Sequence, residues 1–187
     1  TSVYDSTNSK VVIAYSDNAI SDDGYSVVAD NSSAGTPVVF DTANSNSIAA
    51  AFDSNAGKVV IAYKGASGYG TAIVGTVSGT SISYGTPVVF NGAGSDNISA
   101  TFDSDSNKIV IAYRDHGNSF YGTAIVGTVS GTSISYGTAV AFQATNTQKT
   151  SMAFDSNANK VVIAYQDVAN SSYGTVIVGT VSGTTIS

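Results

Sequence analysis

Apolar residues recur in short stretches along the chain, and polar segments of a few residues separate them. In one representative part of the chain the stretches cover Ser47–Asp53, Lys58–Lys64, Gly70–Ser78 and Ser81–Phe90. Stretches of this length that are rich in Val, Ile, Tyr and Thr are typical of β-strands. The pattern therefore predicts an all-β chain in which short strands follow one another closely.

The polar segments between these strands are mostly the size of hairpin turns. Ser54-Asn55-Ala56-Gly57 follows the first strand and Ser78-Gly79 follows the third, while a longer polar loop follows the second. Tight turns join antiparallel neighbours, whereas a parallel crossover needs about a dozen residues or more. We therefore expect the four strands to form one antiparallel meander.

The same pattern occurs four times. The segment KVVIAY, or KIVIAY, begins at Lys10, Lys58, Lys108 and Lys160, in steps of 48, 50 and 52 residues. An aromatic-Asp-Ser triplet precedes it, and YGTAIVGTVSGTSISYGT is identical at 69–86 and 121–138. A fixed period of this length indicates a repeat architecture in which each copy is one structural unit.

The central strands predict how the units are covered. Val59–Ala62 and Ala72–Val74 are apolar at successive positions, so both faces of each sheet must be buried. Small sheets stacked around an axis meet this requirement, and a four-stranded repeat of about 40–50 residues is the size of a β-propeller blade. A β-sandwich rarely consists of four near-copies, and the rungs of a parallel β-solenoid are shorter. The predicted blades cover approximately 1–40, 47–90, 97–142 and 150–187.

The frame DSNxxKVVIAYxD followed by YGTAIVGTVSGTSIS resembles the tandem propeller repeats of bacterial secreted proteins and of marine bacterial and bacteriophage surface or fibre proteins. All four units carry the resemblance, although Tyr25–Asp30 in the first unit departs from the frame. The resemblance implies a propeller with a binding role and an extracellular, cell-surface or virion-surface location. It identifies no catalytic residue.

Two outcomes are open for ring closure. The sequence favours a closed four-bladed ring whose last blade has three strands, because the fourth unit lacks a GTPVVF segment. A fragment of a longer array is the alternative. In the closed ring, we expect a short pairing of Thr184–Ser187 or a neighbouring subunit to cover the edge at Gly174–Val181.

Composition excludes several classes of function. The chain has 13 Asp, no Glu, 7 Lys and Arg together, no Cys and a net charge of −6. Such a chain lacks the clustered cations that bind nucleic acid, and it lacks thiol chemistry. No apolar run approaches the roughly 18 residues of a membrane span. We therefore expect no nucleic-acid partner, no membrane insertion and no cofactor.

The second loop of each unit varies most among the copies. Loops on a rigid scaffold commonly carry binding residues, although drift among copies produces the same variation. Tyr15, Tyr63, Tyr113 and Tyr165 are predicted to pack between blades, whereas Tyr25, Tyr69, Tyr121 and Tyr173 could either pack or stack on a ligand. The candidate ligand-binding residues are Lys64, Tyr69, Arg114, Asp115, His116, Phe120, Tyr121, Gln166, Asp167, Asn170 and Tyr173.

Two further chemistries receive weak support. Asp103, Asp105 and Asn107 form a D-x-D-x-N run of oxygen ligands suited to Ca²⁺, but the Glu of an EF-hand is missing, which favours a turn-capping role for the Asp. His116 next to Asp115 is a poor catalytic pair because adjacent loop residues seldom orient one another. We expect no catalytic residues.

Three functions remain as hypotheses. The first is a non-catalytic binding module that holds a glycan or protein ligand through loops on one face. The second is a structural repeat in a fibre or assembly whose partners are sister subunits. The third, a propeller hydrolase, is the least favoured because a general acid is commonly Glu, which the chain lacks.

Overall fold

The computed structural model describes residues 1–17, 19 and 22–187. Strands account for 68% of the described residues, and the helical structure within them consists of single 3₁₀ turns at Ala66–Gly68 and His116–Asn118. All strand pairs are antiparallel. The prediction of an all-β, antiparallel chain is therefore confirmed.

The strands follow the repeat. In chain order they are β1 (Ser2–Asp5), β2 (Lys10–Asp17), β3 (Asp23–Ala29), β4 (Val38–Asp41), β5 (Asn46–Asp53), β6 (Lys58–Lys64), β7 (Tyr69–Ser78), β8 (Ser81–Tyr84), β9 (Val88–Asp103), β10 (Lys108–Asp115), β11 (Tyr121–Ser130), β12 (Ser133–Tyr136), β13 (Val140–Asp155), β14 (Lys160–Asp167), β15 (Tyr173–Gly179), β16 (Val181–Ser182) and β17 (Thr185–Ile186).

These strands form four successive sheets. The first sheet contains β1–β4, and the second contains β5–β8 with the beginning of β9. The end of β9 starts the third sheet with β10–β12 and the beginning of β13. The end of β13 starts the fourth sheet, with β14 and β15, beside the small β16–β17 hairpin. The long strands β9 and β13 therefore connect consecutive sheets without an intervening loop.

In the described part of the chain, three hydrophobic cores lie between the four sheets. Val12 and Val28 of the first sheet pack with Ile61 and Ile73 of the second. The second core joins the second and third sheets, and the third core joins the third and fourth. Val60, Ala62, Ile73 and Ile111 are at most 3% exposed, so the predicted burial of both faces of the central strands is confirmed for the second and third sheets. In the first and fourth sheets only one face of these strands is buried, because no further sheet of the described structure packs on the other face.

The outer strand of each unit differs from its prediction. Ser81–Phe90 was expected to be one strand, but the structure divides it into β8 and the start of β9. Pro87 has no N–H to donate to a strand ladder. At Gly85 the chain passes so close to the next sheet that a Cβ would overlap the carbonyl oxygen of Thr132. Packing between sheets therefore interrupts the strand at 85–87.

The closed four-bladed ring favoured by the sequence is not seen. Among the described residues, no hydrophobic core joins the first sheet to the fourth. Val11 and Ile13 on the outer face of the first sheet are 37% and 39% exposed, and Val176 and Val178 on the fourth are 61% and 56% exposed. Closure depends on the angle between successive sheets, which the repeat pattern does not encode.

The end of the chain forms a short pairing at Thr184–Ser187, which was expected to cover the edge at Gly174–Val181 but reaches only Thr180 and Val181 of that edge. Val181 pairs with Ile186, and Thr180 and Ser187 exchange two backbone hydrogen bonds of 2.8 and 3.0 Å. This hairpin leaves β15 paired only to β14 within the described residues. No helix in the described part of the chain has the length and apolar character needed to cross a membrane.

Candidate functional site

The second loops and the links between sheets meet on one side of the molecule, which we call the loop side (residues 41–47, 65–68, 91–97, 116–120, 143–149 and 168–172). Asn91 donates from Nδ2 to Asp115 Oδ1 at 2.9 Å, and His116 Nε2 lies 2.9 Å from Asp96 Oδ2. Gln143 likewise donates from Nε2 to Asp167 at 2.6 Å. The loops of the third and fourth sheets are therefore fixed to the links that precede these sheets.

A cluster of polar and aromatic side chains lies at the centre of this side. Arg114 donates from Nη1 to Asp96 at 3.4 Å and from Nε to Asn146 Oδ1 at 3.0 Å. Its guanidinium carbon lies 4.2 Å from the centre of the Phe120 ring. The His116 ring meets the same ring edge-on, with centroids 4.8 Å apart. We call Asp96, Arg114, His116, Phe120 and Asn146 the central cluster.

The loop backbone explains how the cluster is positioned. Asp115 caps the 3₁₀ turn by accepting a hydrogen bond from the Gly117 N–H at 2.9 Å, and the Phe120 N–H donates to the Asp115 carbonyl at 2.8 Å. Ser119 and Phe120 have φ values of 53° and 63°, in the left-handed region that bulky residues rarely adopt. Such strained residues are held in place by surrounding contacts and are common at functional sites.

Electrostatics favour an ionised Asp96. Burial tends to raise the pKa of its carboxyl, but hydrogen bonds from Asn97 and His116 and the positive charges of His116 and Arg114 outweigh this effect. The pKa of Asp96 is therefore lowered. The side chains of Arg114, Asp96 and His116 are 16%, 23% and 32% exposed, so the cluster remains accessible from solvent.

The loop of the second sheet lines two further clefts. Lys64 borders a cleft of about 430 Å³ together with Asn44 and Asn46. Tyr69, which is 39% exposed, borders a second cleft of about 260 Å³ that also contains Asp41 and the Tyr63 ring. Both clefts are lined by Gly65, Ala66 and Ser67, where the loop is shorter and carries no aromatic ring.

In the fourth sheet the candidate residues are dispersed. Asp167 is only 8% exposed and accepts hydrogen bonds from Gln143 and Thr145, so its carboxylate holds the link in place. Gln166 donates to the Ser172 carbonyl at 3.2 Å and lines a cleft of about 290 Å³. Asn170 is exposed, and Tyr173 is 63% exposed.

The structure thus brings together three of the candidate residues, Arg114, His116 and Phe120. Asp115 accepts a hydrogen bond from Asn91. Tyr121, the first residue of β11, pairs with Asn146 of the central cluster. Two members of the central cluster, Asp96 and Asn146, were not among the predicted site residues. They lie in links that also vary among the copies, which is the signal that could have found them.

The Asp residues that recur in the first turn of each unit have a structural role. The Asp103 carboxylate accepts hydrogen bonds from the backbone N–H groups of Asp105 and Ser106 at 2.9 and 3.0 Å. Asp5 and Asp155 accept the equivalent pairs of bonds. Within the described residues, no group of three His, Cys, Asp or Glu side chains is arranged to hold a metal ion.

The repeated Tyr residues form two groups. Tyr63, Tyr113 and Tyr165 pack against Phe40, Phe90 and Phe142 of the preceding sheets, with ring centroids 5.1–5.3 Å apart, as predicted. The sequence groups Tyr25 with Tyr69, but the strand pairing shows a different equivalence. Tyr25 lies opposite Tyr15 in the first sheet, and Thr71 lies opposite the equivalent Tyr63 in the second sheet. The alignment is therefore offset by two residues, and Asp23, not Tyr25, occupies the position of Tyr69.

Comparison with known proteins gives a structural likeness. No family model and no curated protein matches the sequence. The fold is similar to that of a lectin. One solved structure with this likeness is that of the SapL1 lectin in complex with alpha methyl fucoside, with a TM-score of 0.59 and 14% sequence identity. The match covers all of this chain and 60% of the lectin chain, so the chain spans less than two thirds of that protein.

Proposed function

We propose that the protein is a non-catalytic carbohydrate-binding module exposed on a cell or virion surface, and that sugar binds at the central cluster. The observation that carries this proposal is the partly exposed Phe120 ring held between Arg114 and His116. Binding sites for small molecules combine an aromatic surface with a few fixed polar groups. A sugar ring offers the matching pattern, with an apolar C–H face and hydroxyl groups at its edge.

We further propose that the four sheets are successive blades of a β-propeller that form an arc. The period of 48–52 residues, the four-stranded meanders and the cores between neighbouring sheets support this assignment. The likeness to a lectin fold supports both proposals at the level of architecture. Because the chain lacks Glu and the Asp167 carboxylate holds a link, the residues favour binding over hydrolysis.

A glycan array probed with the labelled protein tests this function, and methyl α-fucoside is the first ligand to titrate. Phe120→Gly removes the ring while keeping a residue that suits φ = 63°. We expect affinity to fall by about tenfold or more, the effect of losing an aromatic anchor. Asn55→Ala, on the opposite turn side, is the matched control and should leave binding unchanged.

Two results would contradict the proposal. One is the absence of binding to any glycan on the array. The other is binding that Asn55→Ala weakens while Phe120→Gly leaves it intact, because the ligand would then lie on the side of the Asp-Ser turns.

End-to-end assembly is a second candidate function, favoured by the two exposed outer faces. Val11 and Ile13 are equivalent to Val59 and Ile61, which are fully buried in the core between the first and second sheets. Val176 and Val178 are equivalent to Ala124 and Val126, which are buried in the third core. The faces left open at the two ends are therefore the two complementary halves of one interface that the chain forms three times internally.

Light scattering on two single variants tests this assembly. Ile13→Lys blocks the first face and Val178→Lys blocks the last, so each variant alone should be monomeric. An equimolar mixture should form a 1:1 dimer through the two intact faces, since the contact is head-to-tail. A wild-type protein that stays monomeric at high concentration would exclude this function.

A further inference from the structure

The outer edge of β15 differs from the same edge in the other three sheets. β3 pairs with β4, β7 with the start of β9, and β11 with the start of β13. Within the described residues, β15 pairs with β14 on its inner side and with no strand on its outer side. An edge of this kind presents unpaired backbone N–H and C=O groups that can accept another strand.

The glycine of this strand is also uncovered. In the first three sheets, a Phe ring from the outer strand lies directly over the glycine, and a Cβ at that glycine would overlap the ring. The pairs are Gly24 with Phe40, Gly70 with Phe90 and Gly122 with Phe142. At Gly174, a Cβ would have no heavy atom within 4 Å. The fourth sheet therefore has the same glycine surface that binds a Phe ring in the other sheets, but no ring from the described residues covers it.

A cavity lies next to this edge. It has a volume of about 220 Å³ and is lined mainly by apolar side chains, including Ala124, Val140, Phe142, Ile163, Ile177 and Ile186. Apolar cavities of about 150 Å³ can hold a benzene ring. The cavity at Phe142 is thus large enough for an aromatic side chain.

The repeat indicates which side chain fits the cavity. Tyr84, two residues after Ile82, packs on Phe40 with ring centroids 6.2 Å apart. Tyr136, two residues after Ile134, packs on Phe90 at 6.0 Å. Phe142 contacts Tyr165 of the fourth sheet. In the repeat, the position equivalent to Tyr84 comes directly after Ser187, close to Ile186, which lines the cavity. A Tyr ring in this cavity would restore the contact present in the first two cores.

The Tyr and the Phe belong to one segment in the repeat. Tyr84 and Phe90 are six residues apart, and so are Tyr136 and Phe142. We propose that the β15 edge and the cavity at Phe142 form one binding site for an extended peptide strand of the pattern Tyr-Gly-Thr-Pro-Val-Val-Phe that is supplied from outside these 187 residues. The Tyr fills the cavity and the Phe covers Gly174.

The internal pairing also sets the register of the bound strand. Val88 lies opposite Ala72 and Val89 lies opposite Thr71. The two Val residues of the incoming strand therefore lie opposite Val176 and Thr175. Backbone hydrogen bonds give affinity in this mode of recognition, and the pockets for alternate side chains give specificity.

A direct binding measurement tests this site. The probe is a fluorescein-labelled peptide Tyr-Gly-Thr-Pro-Val-Val-Phe-Asn, which copies residues 84–91, titrated with the full chain and followed by fluorescence anisotropy. We expect saturable binding that weakens about tenfold or more when either the Tyr or the Phe of the peptide is replaced by Ala, since each is an aromatic anchor. A scrambled peptide should not bind.

A variant of the protein supplies the complementary test. Gly174→Val places a branched side chain where the Phe ring would lie, and the open space there should let the protein fold with an unchanged circular dichroism spectrum. We expect this variant to lose peptide binding. Equal binding of the scrambled and native peptides, or full binding by Gly174→Val, would overturn the proposal. Dimers in which one copy binds a strand of the other would also overturn it if they persist in Gly174→Val, because an edge other than that of β15 would then bind the strand.

Discussion

At the scale of single residues, two equivalent Tyr hydroxyl groups have different partners. The Tyr84 hydroxyl forms a hydrogen bond of 2.5 Å with Ser26, whereas the buried Tyr136 hydroxyl has no hydrogen-bond partner within the described residues. Ala72 occupies the position in the second sheet that Ser26 occupies in the first. One side chain thus decides whether a buried hydroxyl is satisfied.

We expect opposite effects of the same substitution at the two positions. Tyr84→Phe should destabilise the protein by about 0.5–1.5 kcal/mol because it removes a hydrogen bond. Tyr136→Phe should be neutral or stabilising because it removes an unsatisfied polar atom from the core. Urea unfolding curves measure both changes, and Ala72→Ser is the matched variant that should supply Tyr136 with a partner. Equal destabilisation by the two Tyr→Phe changes would contradict this account.

A charge between the sheets should be far more damaging than a charge on an outer face. Ile111 is fully buried in the second core, whereas Val176 is 61% exposed. Ile111→Asp leaves a buried carboxylate without a partner, at a cost comparable with the roughly 5–15 kcal/mol stability of a whole domain. Val176→Asp is the control and should fold. Thermal melting checks the pair, and a melting temperature for Ile111→Asp within a few degrees of the wild type would refute the prediction.

At the scale of strands, the third strand and the outer strand of each unit fit together through a glycine. A Cβ at Gly122 would lie 2.6 Å from Cε2 of Phe142, closer than real Cβ contacts allow. The Phe ring can therefore lie flat over the strand only where glycine is present. Gly174, the equivalent glycine in β15, has no ring over it in the described part of the chain, so a Cβ at this position would meet no heavy atom within 4 Å.

Gly122→Ala and Gly174→Ala separate these two situations. We expect Gly122→Ala to displace the Phe142 ring and to cost about 1–3 kcal/mol, as overpacking of a core commonly does. Gly174→Ala should leave the free energy of unfolding almost unchanged. Chemical denaturation of both variants measures the difference, and equal losses would show that backbone flexibility, not the overlying ring, governs these positions.

At the scale of the whole molecule, buried Tyr residues couple stability to alkaline pH. Burial raises the pKa of Tyr84 to about 12, despite the hydrogen bond with Ser26, which lowers it. Burial also raises the pKa values of Tyr63, Tyr113 and Tyr136. The pKa of these Tyr residues is higher in the folded protein than the value of about 10 in the unfolded chain. Their contribution to stability is therefore fully present below about pH 10 and is lost as the pH rises through the folded-state pKa.

We therefore expect the free energy of unfolding to decrease as the pH rises from about 10 through 12. A double variant, Tyr63→Phe with Tyr113→Phe, keeps the packed rings and removes two ionisable groups. Its alkaline unfolding midpoint, measured by near-UV circular dichroism, should shift to higher pH. An unshifted midpoint would show that these hydroxyl groups do not drive alkaline unfolding.

Much of the fold could be predicted from local sequence. Lys58–Lys64 was predicted as a strand and is β6, and the burial of Val60 and Ala62 followed from apolar residues at successive positions. The candidate site was predicted less completely. Arg114, His116 and Phe120 came from loop variation, but Asp96 is 18 residues from Arg114 and Asn146 is 32 residues from it. No periodic pattern pairs residues across such separations.

The sequence by itself determined the unit, because turn length and apolar periodicity act over a few residues and are repeated four times. Only the tertiary structure decided how the units meet. It placed the links beside the loops, interrupted the outer strand at 85–87 where Gly85 approaches Thr132, and left the faces at Ile13 and Val178 open. These features depend on the distance and angle between sheets, which are set by side-chain packing over the whole interface and are not encoded in any one repeat.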